Sequence, residues 1–170
     1  MIDMEKAFKF RIYPNKTQQV LLQKTFGCTR YIYNHFLAKR IELYKQDKSG
    51  MSYNQCSKEL TVLKQELTWL KEPDKDALQK SLKDLDVAYK NFFARPEAGF
   101  PRFKSKHDRH KSYRTSCTNG NIKFLGKKIQ LPKLGKVKTK DKRTQLEGRI
   151  LNATVSQEPN GEYYVFHLLY

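Results

Sequence analysis

Acidic side chains are scarce in this 170-residue chain, where 17 Asp and Glu face 34 Lys and Arg for a formal net charge of +17. A two-metal nuclease needs several carboxylates converging in a dry site. The acids here fall mostly three or four residues from a Lys on helical stretches, as Asp84 does from Lys80, and read as solvated helix pairs. Cysteine is scarce too. Cys28, Cys56 and Cys117 are far apart and form no Cys-x-x-Cys, so neither a structural zinc site nor a thioredoxin-like pair is supported. His107, His110 and Cys117 lack a fourth ligand and sit among cations, so no metal is expected there. There is no Gly-rich phosphate loop before a helix and no nucleophile elbow. An enzyme is therefore disfavoured, and no cofactor is expected. No apolar run approaches the roughly 20 residues that span a bilayer, and the first ten residues lack a signal-peptide core. The expectation is a soluble cytoplasmic chain, nucleoid-associated and with no membrane partner.

What is present is enough to fold. With 38% hydrophobic and 12% aromatic residues the chain is globular, and a domain of this size buries roughly 70% of its unfolded surface without staples. The positive charge is concentrated. Residues 95–149 hold 17 Lys and Arg against four acids, whereas residues 150–170 hold no Lys or Arg at all. So dense a field repels itself unless a polyanion neutralises it, and nucleic acid is the expected partner; the plain alternative is a solvated basic face.

Three patterns follow one another. Phe8, Phe10 and Ile12 alternate with Lys9, Arg11 and Tyr13, a half-buried strand that Pro14 ends. Residues 15–94 read as about four helices. The first, capped by Asn15 or Thr17, stops at Gly27; the second carries Ile32, Phe36, Leu37, Ile41 and Tyr44 on a core stripe. Ser52 and Gln55 form a capping box for the third, and Asp74 caps the fourth, with Leu78, Leu82, Leu85, Tyr89 and Phe92 inward. Residues 95–170 read as a basic loop and then β-strands: 122–125 and 128–131 about a Gly126-Lys127 turn, a short strand from Leu134, and 150–156 and 163–169 about Pro159-Asn160-Gly161. The fold class is α+β, a small β-barrel of oligonucleotide-binding type with an inserted helical domain. Its first strand lies in residues 1–13, the insertion in 14–94 and the rest of the barrel in 95–170.

The segment Gly99–Lys106 interleaves Phe100 and Phe103 with Arg102, Lys104 and Lys106, and the cations continue through Arg109, Lys111 and Arg114. The cations suit phosphate contacts, joined by Lys9 and Arg11 on the first strand. The two Phe either stack on bases or pin the loop to the core, and the second reading is preferred. Lys75 and Gln79, four apart at a helix start, present one face that would suit a DNA groove, as would Tyr53 and Ser57. Each pair is equally an ordinary solvent face. Thr118-Asn119 either contacts a base edge or shapes a turn.

Several stretches, in order across the chain, resemble the N-terminal portion of the TnpB (OrfB) family, insertion-sequence proteins that are RNA-guided DNA nucleases. They are Ala7–Asn15, Gly27–Asn34, Ala77–Leu85, Ala88–Phe93, Gly99–Lys104, Ser112–Thr115 and Leu131–Gly135. The resemblance implies a wedge barrel with a helical recognition insertion, often described as a helix-turn-helix, that grips guide RNA and reads a short DNA motif beside the target. It places Tyr53, Ser57, Lys75, Gln79, Thr118 and Asn119 toward that motif. The family continues into a RuvC-like nuclease domain with three acids and a zinc ribbon, whereas this sequence reaches Tyr170 where that domain begins. The expectation is therefore a binding module for guide-like RNA and double-stranded DNA without cleavage. The alternatives are half of a split nuclease completed by a separate chain, or a decayed truncation.

Overall fold

The computed structural model describes residues 6–140 and 148–169. The chain divides into two compact units, one made of residues up to Phe26 with those from Arg109 onward, the other of Gly27–Asp108.

The first unit is built on a seven-stranded antiparallel sheet. Its strands are β1 (Lys6–Tyr13), β2 (Lys111–Ser116), β3 (Lys123–Leu125), β4 (Lys128–Leu131), β5 (Gly135–Thr139), β6 (Ile150–Gln157) and β7 (Tyr163–Leu169). They lie in the order β2-β6-β7-β1-β5-β4-β3. The N-terminal strand pairs with β7 along its length, Phe10 opposite Val165, and with β5 at its end, Ile12 opposite Thr139. Phe10, Ile12, Ile129, Leu131, Val137, Ala153, Val155 and Val165 are buried, the inward half of each period-2 pattern.

In place of the expected small β-barrel, the described strands form one rolled sheet that is not closed. No ladder joins β2 to β3 among the described residues, because β3 has only three residues with which to continue one. The sheet nevertheless curls strongly. In a flat sheet three strand spacings would set β3 about 14 Å from β1, yet the rings of Phe124 and Phe10 lie 5.2 Å apart, and Phe124 reaches His167 of β7 at 6.5 Å. A second correction concerns residues 111–116, read from their cations as a continuing loop. They form β2, paired with β6 from Lys111 opposite Gln157 to Ser116 opposite Asn152. Tyr113 and Thr115 point inward while Ser112 and Arg114 face solvent.

Among the described residues three α-helices stand in place of the expected four or so. A single helix, α1 (Lys16–Asp47), runs through Gly27; α2 spans Tyr53–Glu66 and α3 Lys75–Ala94, with 3-10 turns at Thr68–Lys71 and Pro96–Ala98. Asn15 caps α1 as a capping box, its Oδ1 accepting from Gln18 N at 2.8 Å while Gln18 Oε1 accepts from Asn15 N at 3.0 Å. Ser52 and Gln55 do the same for α2, and the Asp74 carboxylate accepts from Asp76 N at the start of α3. In the sheet unit the first turns of α1 bury Leu22 and Phe26, and Gln18 Nε2 donates to Lys136 O at 2.8 Å.

Gly27 does not stop the helix because a C-cap needs a left-handed backbone, and Gly27 is absent from the positive-φ positions. A Cβ there would meet only the Arg30 guanidinium tip, at 3.9 Å. Gly27→Ala is thus expected to stabilise the protein by about 0.5–1 kcal/mol through reduced freedom of the unfolded chain. Urea denaturation checks this, and an unchanged midpoint would show that the glycine serves close packing instead.

The second unit packs α2 and α3 on the rest of α1. Ile32, Phe36, Leu37, Cys56, Leu60, Leu70, Leu78, Leu82 and Leu85 form its core with Met51 and Tyr89. Ser81 Oγ donates to Thr29 O at 2.6 Å inside it. Tyr44, read as core, is 58% exposed, since the α1 stripe continues beyond the residues available to cover it. Among the described residues no helix is long and apolar enough to cross a membrane.

Candidate nucleic-acid interface

At the start of α2 and α3 the structure joins three of the singled-out residues. Ser52 and Asp74 fix where the two helices begin, which sets Tyr53 and Ser57 on one and Gln79 on the other. Tyr53 Oη and Ser57 Oγ each donate to Gln79 Oε1 at 3.1 Å. With its oxygen taken twice, the amide keeps its two N–H groups for another acceptor. Lys83, unremarked from sequence, stands 5.0 Å over the Tyr53 ring. It lies on the same α3 face, four residues after Gln79, which was the signal available. Lys75 is the first residue of α3 and is exposed. Burial, and after it the charge of Lys75, holds the Lys64 ammonium below the ordinary lysine value.

The basic loop of the helical unit is anchored at one residue. Asn34 on α1 accepts from Lys104 N through Oδ1 at 2.8 Å and donates to Lys104 O through Nδ2 at 2.9 Å, as a paired strand would. Lys104 Nζ then lies 4.5 Å over Tyr33. Arg102, Lys104 and Lys106 are all exposed along this segment. Sequence periodicity carried no sign of Asn34, whose partner is 70 residues away. Phe100 meets Tyr89 and Phe92 edge-on, at 5.5 and 5.3 Å, but stays 45% exposed, and Phe103 is 56% exposed.

In the sheet unit the cations are partly answered from within. Lys9 pairs with Glu158 at 3.4 Å and caps the Tyr164 ring at 4.5 Å, and Arg11 pairs with Glu162 at 2.8 Å. The Glu162 carboxyl is held below its usual range by a hydrogen bond from Tyr164 Oη, with Arg11 adding to it. Lys111 Nζ donates to Gln23 Oε1 at 3.3 Å, while Arg109 and Arg114 are exposed. Thr118 and Asn119 are exposed in a turn where Thr118 N donates to Asn121 Oδ1 at 2.8 Å and Asn119 has φ of 53°. The backbone of this pair shapes the turn, and its side chains lie outside.

His107, His110 and Cys117 do not come together as metal ligands. Among the described residues no three His, Cys, Asp or Glu side chains are placed to hold a metal ion.

The helix-turn-helix domain of the OrfB/IS605 family matches residues 1–49. Those residues contain β1 and the unbroken α1 up to Asp47. InsQ of Escherichia coli (strain K12), named as a candidate RNA-guided DNA endonuclease, is 35% identical over 94% of this chain and 39% of its own length. A second candidate RNA-guided DNA endonuclease, from Streptomyces pristinaespiralis, is 39% identical over 62% of this chain and 27% of its own length. The virulence protein VsdF of Salmonella dublin is 32% identical over 61% of this chain and 96% of its own length. The chain thus spans well under half the length of the first two relatives.

Proposed function

From the premise that this chain belongs to the TnpB/OrfB family and matches its N-terminal region, we propose that it is a nucleic-acid-binding module that holds a guide-like RNA and target-adjacent duplex DNA. Residues 14–94 act as the recognition insertion and residues 1–13 with 95–170 as the part that grips RNA, the loop up to Asp108 being carried on the helical unit. The observation that carries this is the exposed cation row Arg102, Lys104 and Lys106, whose middle residue has its backbone held by Asn34. Phosphate contacts of this kind set register and orientation, and base edges are read elsewhere. Arg109, Lys111 and Arg114 extend the phosphate contacts, while Lys9 and Arg11 contribute less because Glu158 and Glu162 already face them.

Tyr53, Ser57, Lys75 and Gln79 read the DNA motif, with Thr118 and Asn119 contributing further contacts from their turn. The two hydroxyls on Gln79 Oε1 support a refinement of the readout. A bidentate pairing with adenine needs the amide oxygen as well as the nitrogen, so Gln79 works here as a donor toward acceptors such as guanine O6 and N7 or thymine O4. Gln79→Ala should reduce discrimination at one base position by about five- to a hundredfold, as expected for loss of one specific contact. Competition among duplexes randomised at each position measures this, and an unchanged preference removes Gln79 from the readout.

Binding proceeds without cleavage by this chain. Filter-binding titrations of the chain against RNA and duplex DNA at rising salt test the function: affinity falls steeply if phosphates are contacted, and a flat response contradicts the reading. Adding Mg²⁺ to the same mixtures should leave the DNA intact.

A further inference from the structure

The helical unit carries a third surface feature, apart from the Gln79 cluster and the cation row. A cavity of about 480 Å³ is lined by Ile41, Tyr44, Met51, Phe92, Phe93 and Phe100, with Arg40, Lys45 and Tyr89 at its walls. That volume lies within the range of small-ligand pockets. Its aromatics are left open to solvent: Phe93 is 73% exposed, Tyr44 58% and Phe100 45%. Isolated exposed rings need no account, but three around one cavity mark a binding surface.

The rings form a box rather than a flat patch. Phe100 stands nearly perpendicular to Tyr89 and Phe92, at 87° and 83°, while Phe93 lies nearly parallel to Tyr89 at 27° with centroids 6.3 Å apart. The Arg40 guanidinium is stacked on the Tyr89 ring at 3.9 Å, which fixes the cation at the wall. The lining residues include Arg40 and Lys45 and no Asp or Glu. Of the acids nearby in sequence, Glu42 accepts from Gln46 Nε2 at 3.1 Å, and Asp47 is occupied by Ser49, whose Oγ and backbone N both donate to it.

An apolar protein segment would use the rings but not the cations, whereas a nucleotide uses both, the base between rings and the phosphate at Arg40 or Lys45. We infer that this aromatic box receives an unpaired base of single-stranded RNA. RNA recognition favours bases splayed out of a loop or bulge and stacked on aromatic or guanidinium faces, which is what this wall offers. The inference rests on the nucleic-acid reading above but on different residues.

The test uses the full chain with a single-stranded RNA 12-mer carrying one 2-aminopurine and, separately, a 20-base-pair DNA duplex. Wild type should quench the fluorescent base by stacking. Phe93→Ala, at an exposed position that leaves the core untouched, should abolish the quench and weaken RNA binding by about tenfold, with duplex binding unchanged. Arg40→Gln should weaken RNA binding too. Quenching that survives Phe93→Ala overturns the inference while leaving the nucleic-acid function intact. Absence of RNA binding in wild type overturns both. Self-association that Phe93→Ala abolishes, with RNA affinity unchanged, would assign the box to a second copy of the chain and overturn the inference as well.

Discussion

Neutralising two cations of the exposed row, Arg102→Gln with Lys106→Gln, is expected to weaken duplex binding about thirtyfold at 0.15 M salt and single-stranded RNA binding about fifteenfold. The magnitude follows from counterion release, in which each phosphate contact adds about 0.9 to the slope of log affinity against log salt on duplex DNA and about 0.7 on single strands. Two lost contacts therefore flatten the duplex slope by about 1.8. Both side chains are exposed, so neither substitution should disturb the core. The loss should be the same on every sequence, because phosphates carry no base identity. Lys9→Gln is expected to cost less, since Glu158 at 3.4 Å already answers that charge. Equal, small effects from all three positions would show that the field is diffuse and that the anchored loop has no special part in binding.

Acidification should unfold the protein for a reason unrelated to its charge excess. His167 on β7 is fully buried within the roll, 5.6 Å from the Phe10 ring and 6.5 Å from that of Phe124, and neither ring nitrogen has a partner among the described residues. Its cross-strand neighbours are Phe8 and Ala153, so no carboxylate from either flanking strand compensates a proton. Burial lowers its pKa from 6.5 to about 4. The unfolded chain then takes up a proton below about pH 6.5 that the folded chain refuses until about pH 4. Stability is full above pH 6.5 and declines through that window, by about 2 kcal/mol at pH 5 and about 3 kcal/mol at its end. His167→Leu should remove this decline, because replacing an unsatisfied polar ring by an apolar group is neutral or stabilising. Urea unfolding at pH 7.5 and pH 5 compares the two proteins, and an identical loss in both would exclude His167 as the cause.

The parts that sequence made legible are those whose signal is local. The capping box at Ser52, the Asp74 cap, Asn15 as one of two caps offered for α1, and the period-2 strands around Phe10, Val155 and Val165 each declare themselves within a few residues. What failed depended on distant contacts. Gly27 resembled a helix stop, but its fate was set by packing along both halves of α1. The cations of β2 hid a strand because the inward signal rests on only Tyr113 and Thr115. The roll of the sheet could not be read at all, since it depends on Phe124 meeting Phe10, 114 positions away. The candidate site divides in the same way. Spacing placed Tyr53 beside Ser57 and Lys75 beside Gln79 on helix faces, while the bonds that orient Gln79 cross 22 and 26 residues. Tyr44 sat on a core stripe by periodicity, yet it lines the aromatic box at 58% exposure, with Lys48 Nζ 4.8 Å over its ring.

The most direct test of the central claim is to recover the chain from its own host after crosslinking and sequence the RNA bound to it. A nucleic-acid-binding module of this kind predicts one discrete RNA species, strongly enriched and depleted again when Arg102 and Lys106 are neutralised. A profile that mirrors total cellular RNA, or is indifferent to that double substitution, would contradict the account.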